Sequence, residues 1–148
     1  MPRSDDPLLF LRLKHNVRRR TVREIACLLR NTVAGGQRFY CLLTDDRELQ
    51  RLNRLFFRKD YPTDVLSFPE PGSDDFLGEI AISVDRAAEQ TKQFGHSLET
   101  EIAILMLHGL LHLKGMDHEK DGGRMAQAEA RWRKRLGLPA ALIERTRP

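Results

Sequence analysis

Apolar positions along the chain alternate between short runs and helical repeats. Leu8 to Lys14 alternates towards its end and predicts a short strand. From Thr21 to Val33, Val22, Ile25, Ala26 and Leu29 recur at helical spacing, and Gly35-Gly36 stops the helix. Phe39 to Leu43 reads as a buried strand. Thr44 or Asp45 can cap the next helix, with Leu49, Leu52, Leu55 and Phe56 on its apolar face. After Pro62, Asp64 to Phe68 is extended, and the turn-rich EPGSDD separates it from a strand over Leu77 to Val84. Asp85 opens a short helix that stops at Gly95. Ser97 then caps a strongly apolar helix, Leu98 to Leu113, with Glu99 and Glu101 suited to its dipole. Arg124 to Leu136 predicts a last helix, stopped by Gly137 and Pro139. The order β-α-β-α-β-β-α-α-α describes one α/β or α+β domain over residues 1–148, with about four strands.

Composition supports that picture. The 148 residues are 41% hydrophobic and 31% charged, enough for one core and unlike a disordered chain. No apolar run reaches the roughly 18 residues a membrane span needs. The first 30 residues are broken by Arg and Asp and hold no signal-peptide core, so Sec export is not expected, and two cysteines without a disulfide framework fit a cytoplasmic protein. Cys27 and Cys41 form no disulfide framework or thiolate metal pair, and both are expected to be small buried hydrophobes. The net charge is +4, with 19 Arg against 6 Lys. Guanidinium groups match phosphate oxygens, so the bias fits a polyanion partner, but composition drift produces it too.

The candidate chemistry lies in HGLLHLKGMDH. His108 and His112 are i and i+4 on one helix face, and Gly115 lets the chain turn back towards His118. Three imidazoles leave one position of a tetrahedral zinc open, the pattern of a catalytic site rather than a closed structural one. The spacing H-x3-H-x5-H, Gly115 included, also matches the metzincin signature HExxHxxGxxH position for position. Gly109 stands where those peptidases carry their catalytic glutamate, so protease chemistry is not supported.

A second block, RLNRLFFRKDYPTDVLSF, runs from the predicted second helix through Pro62 into the extended segment Asp64 to Phe68. Arg47, Arg51, Arg54 and Arg58 are spaced to form a basic helical stripe, which by itself is also the pattern of a solvated face. Arg58 ends the helix before a turn into a strand, where rigid scaffolds place functional groups. A guanidinium there suits the charge that develops on a phosphodiester. Further basic clusters, Arg18 to Arg20 with Arg23 and Arg131 to Arg135, read as polyanion contacts or as solvated helix faces.

HGLLHLKGMDH resembles the HGxLHLxGYDH signature of the bacterial YbeY family, metal-dependent endoribonucleases of rRNA maturation. LNRLFFRKDYPTDVLSFP and LGEIAIS resemble two further blocks of that family, so the likeness runs from about Leu43 to Leu136. The resemblance implies a mixed sheet packed with helices and a metal site at the end of the central helix. It implies one zinc ion on His108, His112 and His118, with His108 and Arg58 tied to activity. It also implies cleavage of single-stranded RNA in small-subunit rRNA 3′-end processing, and a role in ribosome quality control alongside the ribosome and assembly factors. Met116 replaces the family's usual aromatic, and Gly122-Gly123 stands where helix formers are usual. Two other readings of the residues are a metal-dependent hydrolase of another substrate and a non-catalytic, zinc-stabilised ribosome-assembly factor. Asp117 is a candidate base or an orienter of His118; alternatively the RNA 2′-hydroxyl attacks and no water base is needed.

Overall fold

A computed structural model describes residues 6–117 and 119–139. Nine elements follow in chain order: β1 Leu8–Phe10, α1 Arg19–Asn31, β2 Arg38–Thr44, α2 Asp46–Phe57, β3 Val65–Pro69, β4 Phe76–Ser83, α3 Val84–Phe94, α4 Leu98–Leu113 and α5 Arg124–Leu136. The strands form one four-stranded sheet in the order β1-β2-β4-β3. β1 and β4 run parallel to β2, and β3 runs antiparallel to β4, so the sheet is mixed. No helix among the described residues is long and apolar enough to cross a membrane.

Strand alternation sorts the sheet's side chains by face. Phe39, Cys41 and Leu43 of β2 and Ile80 and Ile82 of β4 join the main core with residues of α1, α4 and α5. α4 lies at the centre of that core. Ser97 caps it by accepting from the Thr100 amide at 3.1 Å, and thirteen of its residues are buried. An all-round apolar helix of this kind belongs in an interior. Burial also pushes the Cys41 thiol pKa up, so it stays protonated and inert.

Most predicted elements stand within one or two residues of their expected bounds, and four expectations need correction. β1 ends at Phe10 rather than Lys14, because Arg12 turns to φ +57° and reaches Glu48 at 3.3 Å. α3 begins at Val84 with Ser83 as its cap, because Asp85 instead accepts from the Asp46 amide at 2.9 Å. Cys27 is exposed on α1 and is not a buried hydrophobe. Leu55 and Phe56, expected on the apolar face of α2, are 61% and 59% exposed, because the sheet beneath is only partly covered by that helix. Gly122 and Gly123 both adopt positive φ, Gly123 is the N-cap of α5, and Asp121 accepts from the Met125 amide in its first turn at 2.9 Å.

Candidate metal centre

His108 and His112 occupy the last turns of α4, and their ring centroids lie 4.9 Å apart at 73°. His108 is 6% exposed. Its Nδ1 donates to Glu129 Oε2 of α5 at 2.7 Å, and Glu129 is fully buried. His112 Nδ1 donates to the Met116 carbonyl at 2.8 Å. The second contact depends on the end of α4, where Gly115 at φ +90° folds the chain back over the last turn. Both Nδ1 atoms are committed to acceptors, so a metal on either ring would be held through Nε2. A carboxylate or carbonyl behind a histidine is the arrangement that fixes a metal ligand's tautomer and raises its basicity. The residues therefore fit a divalent metal. His118, the expected third ligand, lies outside the described residues, and no group of three donors assembles among those described.

The two histidines open on a groove of about 590 Å³ whose walls include Phe57, Lys59, Asp64, Ser67, Met116 and Asp117. Gly109 is not part of its lining. A Cβ there would lie 2.9 Å from Ile80 Cγ2 and 3.2 Å from both Ser67 Oγ and Val65 Cγ2. Ser67 Oγ also donates to the Gly109 carbonyl at 2.9 Å. The position that holds the glutamate in metzincins is here the point where α4 presses onto the sheet. That packing is the physical reason the peptidase pattern is incomplete.

A family model described as endoribonuclease YbeY matches residues 12–137. The chain belongs to the YbeY family. The endoribonuclease YbeY of Solibacter usitatus is 55% identical over 136 residues, which is 92% of this chain and 91% of that protein. The endoribonuclease YbeY of Helicobacter pylori strain P12 is 45% identical over 117 residues, covering 78% of this chain and 84% of the relative. The solution structure of TM1509 from Thermotoga maritima superposes with a TM-score of 0.59 at 26% identity, covering 84% and 85% of the two chains.

Within this YbeY fold the basic stripe does not converge on the histidines. Arg47, Arg51 and Arg54 line a separate groove with Arg12. Arg51 is held by Glu48 through bonds of 2.8 and 2.7 Å. Those bonds, against the cost of burial, hold the Glu48 carboxyl below its usual range and raise the Arg51 guanidinium. Arg58 caps α2 in the left-handed conformation, φ +58°, with an exposed side chain. Its neighbours Phe57 and Lys59, rather than Arg58 itself, line the histidine groove. Asp117 lines it too, while Oδ1 accepts from the Glu119 amide at 3.1 Å.

Sequence reading passed over Glu129 and Lys59. Glu129 did leave a signal: with Met125, Ala126 and Ala128 it falls on the buried side of α5, where an unpaired carboxylate is costly. Lys59 left none, because its place in the groove depends on how the turn after α2 is folded.

Proposed function

We propose that this chain is a metal-dependent endoribonuclease that cuts single-stranded RNA. In the cell its substrate is the 3′ end of small-subunit rRNA, in the cytoplasm, with a role in ribosome quality control beside assembly factors. The observation that carries this reading is the pair of buttressed imidazoles at the mouth of a cation-bearing groove, in a chain whose relatives are named endoribonucleases. His108, His112 and His118 would hold one zinc ion. When bound, it supplies a Lewis acid for a phosphate oxygen and a water made more acidic.

The remaining steps belong to the chain. Glu129 and the Met116 carbonyl hold the two rings in one tautomer and orientation. Lys59, which lines the groove, and Arg58, exposed beside it at the end of α2, would offset the negative charge that grows on the phosphate oxygens during attack. Gly109 leaves no carboxylate beside the first histidine, which disfavours the peptidase alternative. Either Asp117 takes the proton from an attacking water and the 3′-oxygen leaves with a proton, giving a 5′-phosphate and a 3′-hydroxyl, or the RNA 2′-hydroxyl loses its proton to solvent and attacks the adjacent phosphorus while the 5′-oxygen leaves with a proton, giving a 2′,3′-cyclic phosphate.

The test is cleavage of matched single-stranded and duplex RNA before and after chelation, with the product ends determined. Loss of single-strand cleavage on chelation and its return with zinc supports the proposal. Cleavage indifferent to chelation overturns it. A 2′,3′-cyclic phosphate assigns the attack to the 2′-hydroxyl, and a 5′-phosphate with a free 3′-hydroxyl assigns it to water.

A further inference from the structure

The face of the sheet turned away from α4 is left partly bare by α2. Phe68 of β3, Glu79 of β4 and Tyr40 of β2 stand in register across three strands of that face. They line a groove of about 480 Å³ with Arg51, Leu52 and Phe56 of α2. Contiguous exposed apolar surface of this kind marks an interaction site. Two further features identify the occupant. The adjoining groove carries Arg12, Arg47, Arg51 and Arg54 against only Asp45 and Glu48, so the rim is cationic. The aromatic cluster also runs on towards the histidines: Phe68 lies 5.3 Å from Phe56 and 5.5 Å from Phe57, ring centre to ring centre, and Phe57 lines the metal groove.

We propose that this sheet face is a docking site for single-stranded RNA that selects guanine. Bases stack on Phe56, Phe68 and Tyr40, the arginines contact phosphates, and Glu79 accepts from a base edge. The proposal rests on the endoribonuclease reading and extends it to how substrate is held. Glu79 is exposed in the groove floor and has no hydrogen-bond or ion-pair partner among the described residues. An apolar peptide seated here would bury that carboxylate unpaired, at a cost no contact repays. Guanine instead offers N1–H and N2–H side by side, matching the two carboxylate oxygens. Adenine and cytosine flank their amino group with a ring-nitrogen acceptor, and uracil flanks N3–H with two carbonyls; both arrangements repel the second oxygen.

The test is fluorescence anisotropy of the full-length, metal-loaded protein with labelled single-stranded RNAs, whose integrity is checked on a gel. The probes are an oligouridine, the same strand with internal guanines, and one with inosines, which lack the N2 amino group. The expected result is about tenfold tighter binding of the guanine strand than of oligouridine, with inosine between, from one charge-assisted pair worth about 1.5 kcal/mol. Glu79→Gln removes the preference. Phe56→Ala weakens every strand by about 5- to 150-fold, the range of one lost base stack. Both positions are exposed, and the inosine exchange needs no protein variant. If guanine and uridine strands bind alike and neither variant matters, while wild type still cuts RNA, the docking proposal is wrong and the nuclease reading stands. If wild type neither binds nor cuts RNA, the nuclease reading fails and this proposal falls with it. If a protein occupies the face instead, the variants leave RNA binding unchanged, which again overturns it.

Discussion

Glu129 on α5 accepts from His108 on α4 across a fully buried 2.7 Å contact. The last helix thus sets the orientation of His108, although 21 residues separate the two in sequence. Carboxylates in this position typically contribute 10- to 100-fold to metal affinity. Glu129→Ala is therefore expected to weaken zinc binding by about that factor in a chelator competition assay. It should also lower stability by about 1–3 kcal/mol in urea unfolding of the metal-free protein, because a buried donor loses its acceptor. Unchanged zinc affinity would show that α5 does not act on the site.

Gly109→Ala tests the packing of α4 on the sheet. In an exposed helix this change stabilises by up to about 1 kcal/mol. Here the new methyl meets the Ile80 side chain at 2.9 Å, and Ile80 is 1% exposed and has little room to shift. The overpacking term, about 1–3 kcal/mol, wins, and the variant unfolds at lower urea than wild type. Gly109→Glu is expected to fold worse still and to gain no peptidase activity on casein.

Much of this was legible in the sequence. The bounds of α4 and α5 were readable because Ser97, Gly115 and Gly137 punctuate strong patterns. The His108–His112 face followed from helical spacing alone. The antiparallel pairing of β3 with β4 did not, because strand order and direction are set by contacts between distant segments. The face left open by α2 was hidden for a related reason: Leu55 and Phe56 have the spacing of core residues, and only the finished packing shows them in solvent.

Arg58→Gly separates charge from backbone at the end of α2. A left-handed residue with a side chain carries about 1 kcal/mol of strain that glycine avoids. The variant should melt higher than wild type while cleaving RNA at least about tenfold more slowly, since one stabilising charge on the transition state is lost. Lys59→Ala is the companion. If Arg58→Gly retains full activity and Lys59→Ala loses it, the working cation is Lys59.

Stability should fall on the acid side partly through Glu48. Its carboxyl is held below the ordinary range by Arg51, so the contribution is complete above the unfolded-state pKa. It is lost as pH drops through the folded-state pKa. Arg51→Leu removes the main cause and should flatten the acid limb of a stability–pH profile by less than about 1 kcal/mol, as expected for a pair with one exposed partner. Near neutral pH the same variant should differ from wild type by a similar amount. An acid limb that stays equally steep would contradict the assignment.

In the proposed function, the α4 histidines hold a metal that serves cleavage of single-stranded RNA. The most direct measurement is cleavage of matched single-stranded and duplex RNA by wild type, His112→Ala and Arg58→Ala, purified identically, with metal content read in parallel. Wild type is expected to cut the single strand, His112→Ala to lose both metal and activity, and Arg58→Ala to keep metal but lose activity. If all three preparations cut alike, the activity is a contaminant, and the chain is a zinc-stabilised assembly factor rather than a nuclease.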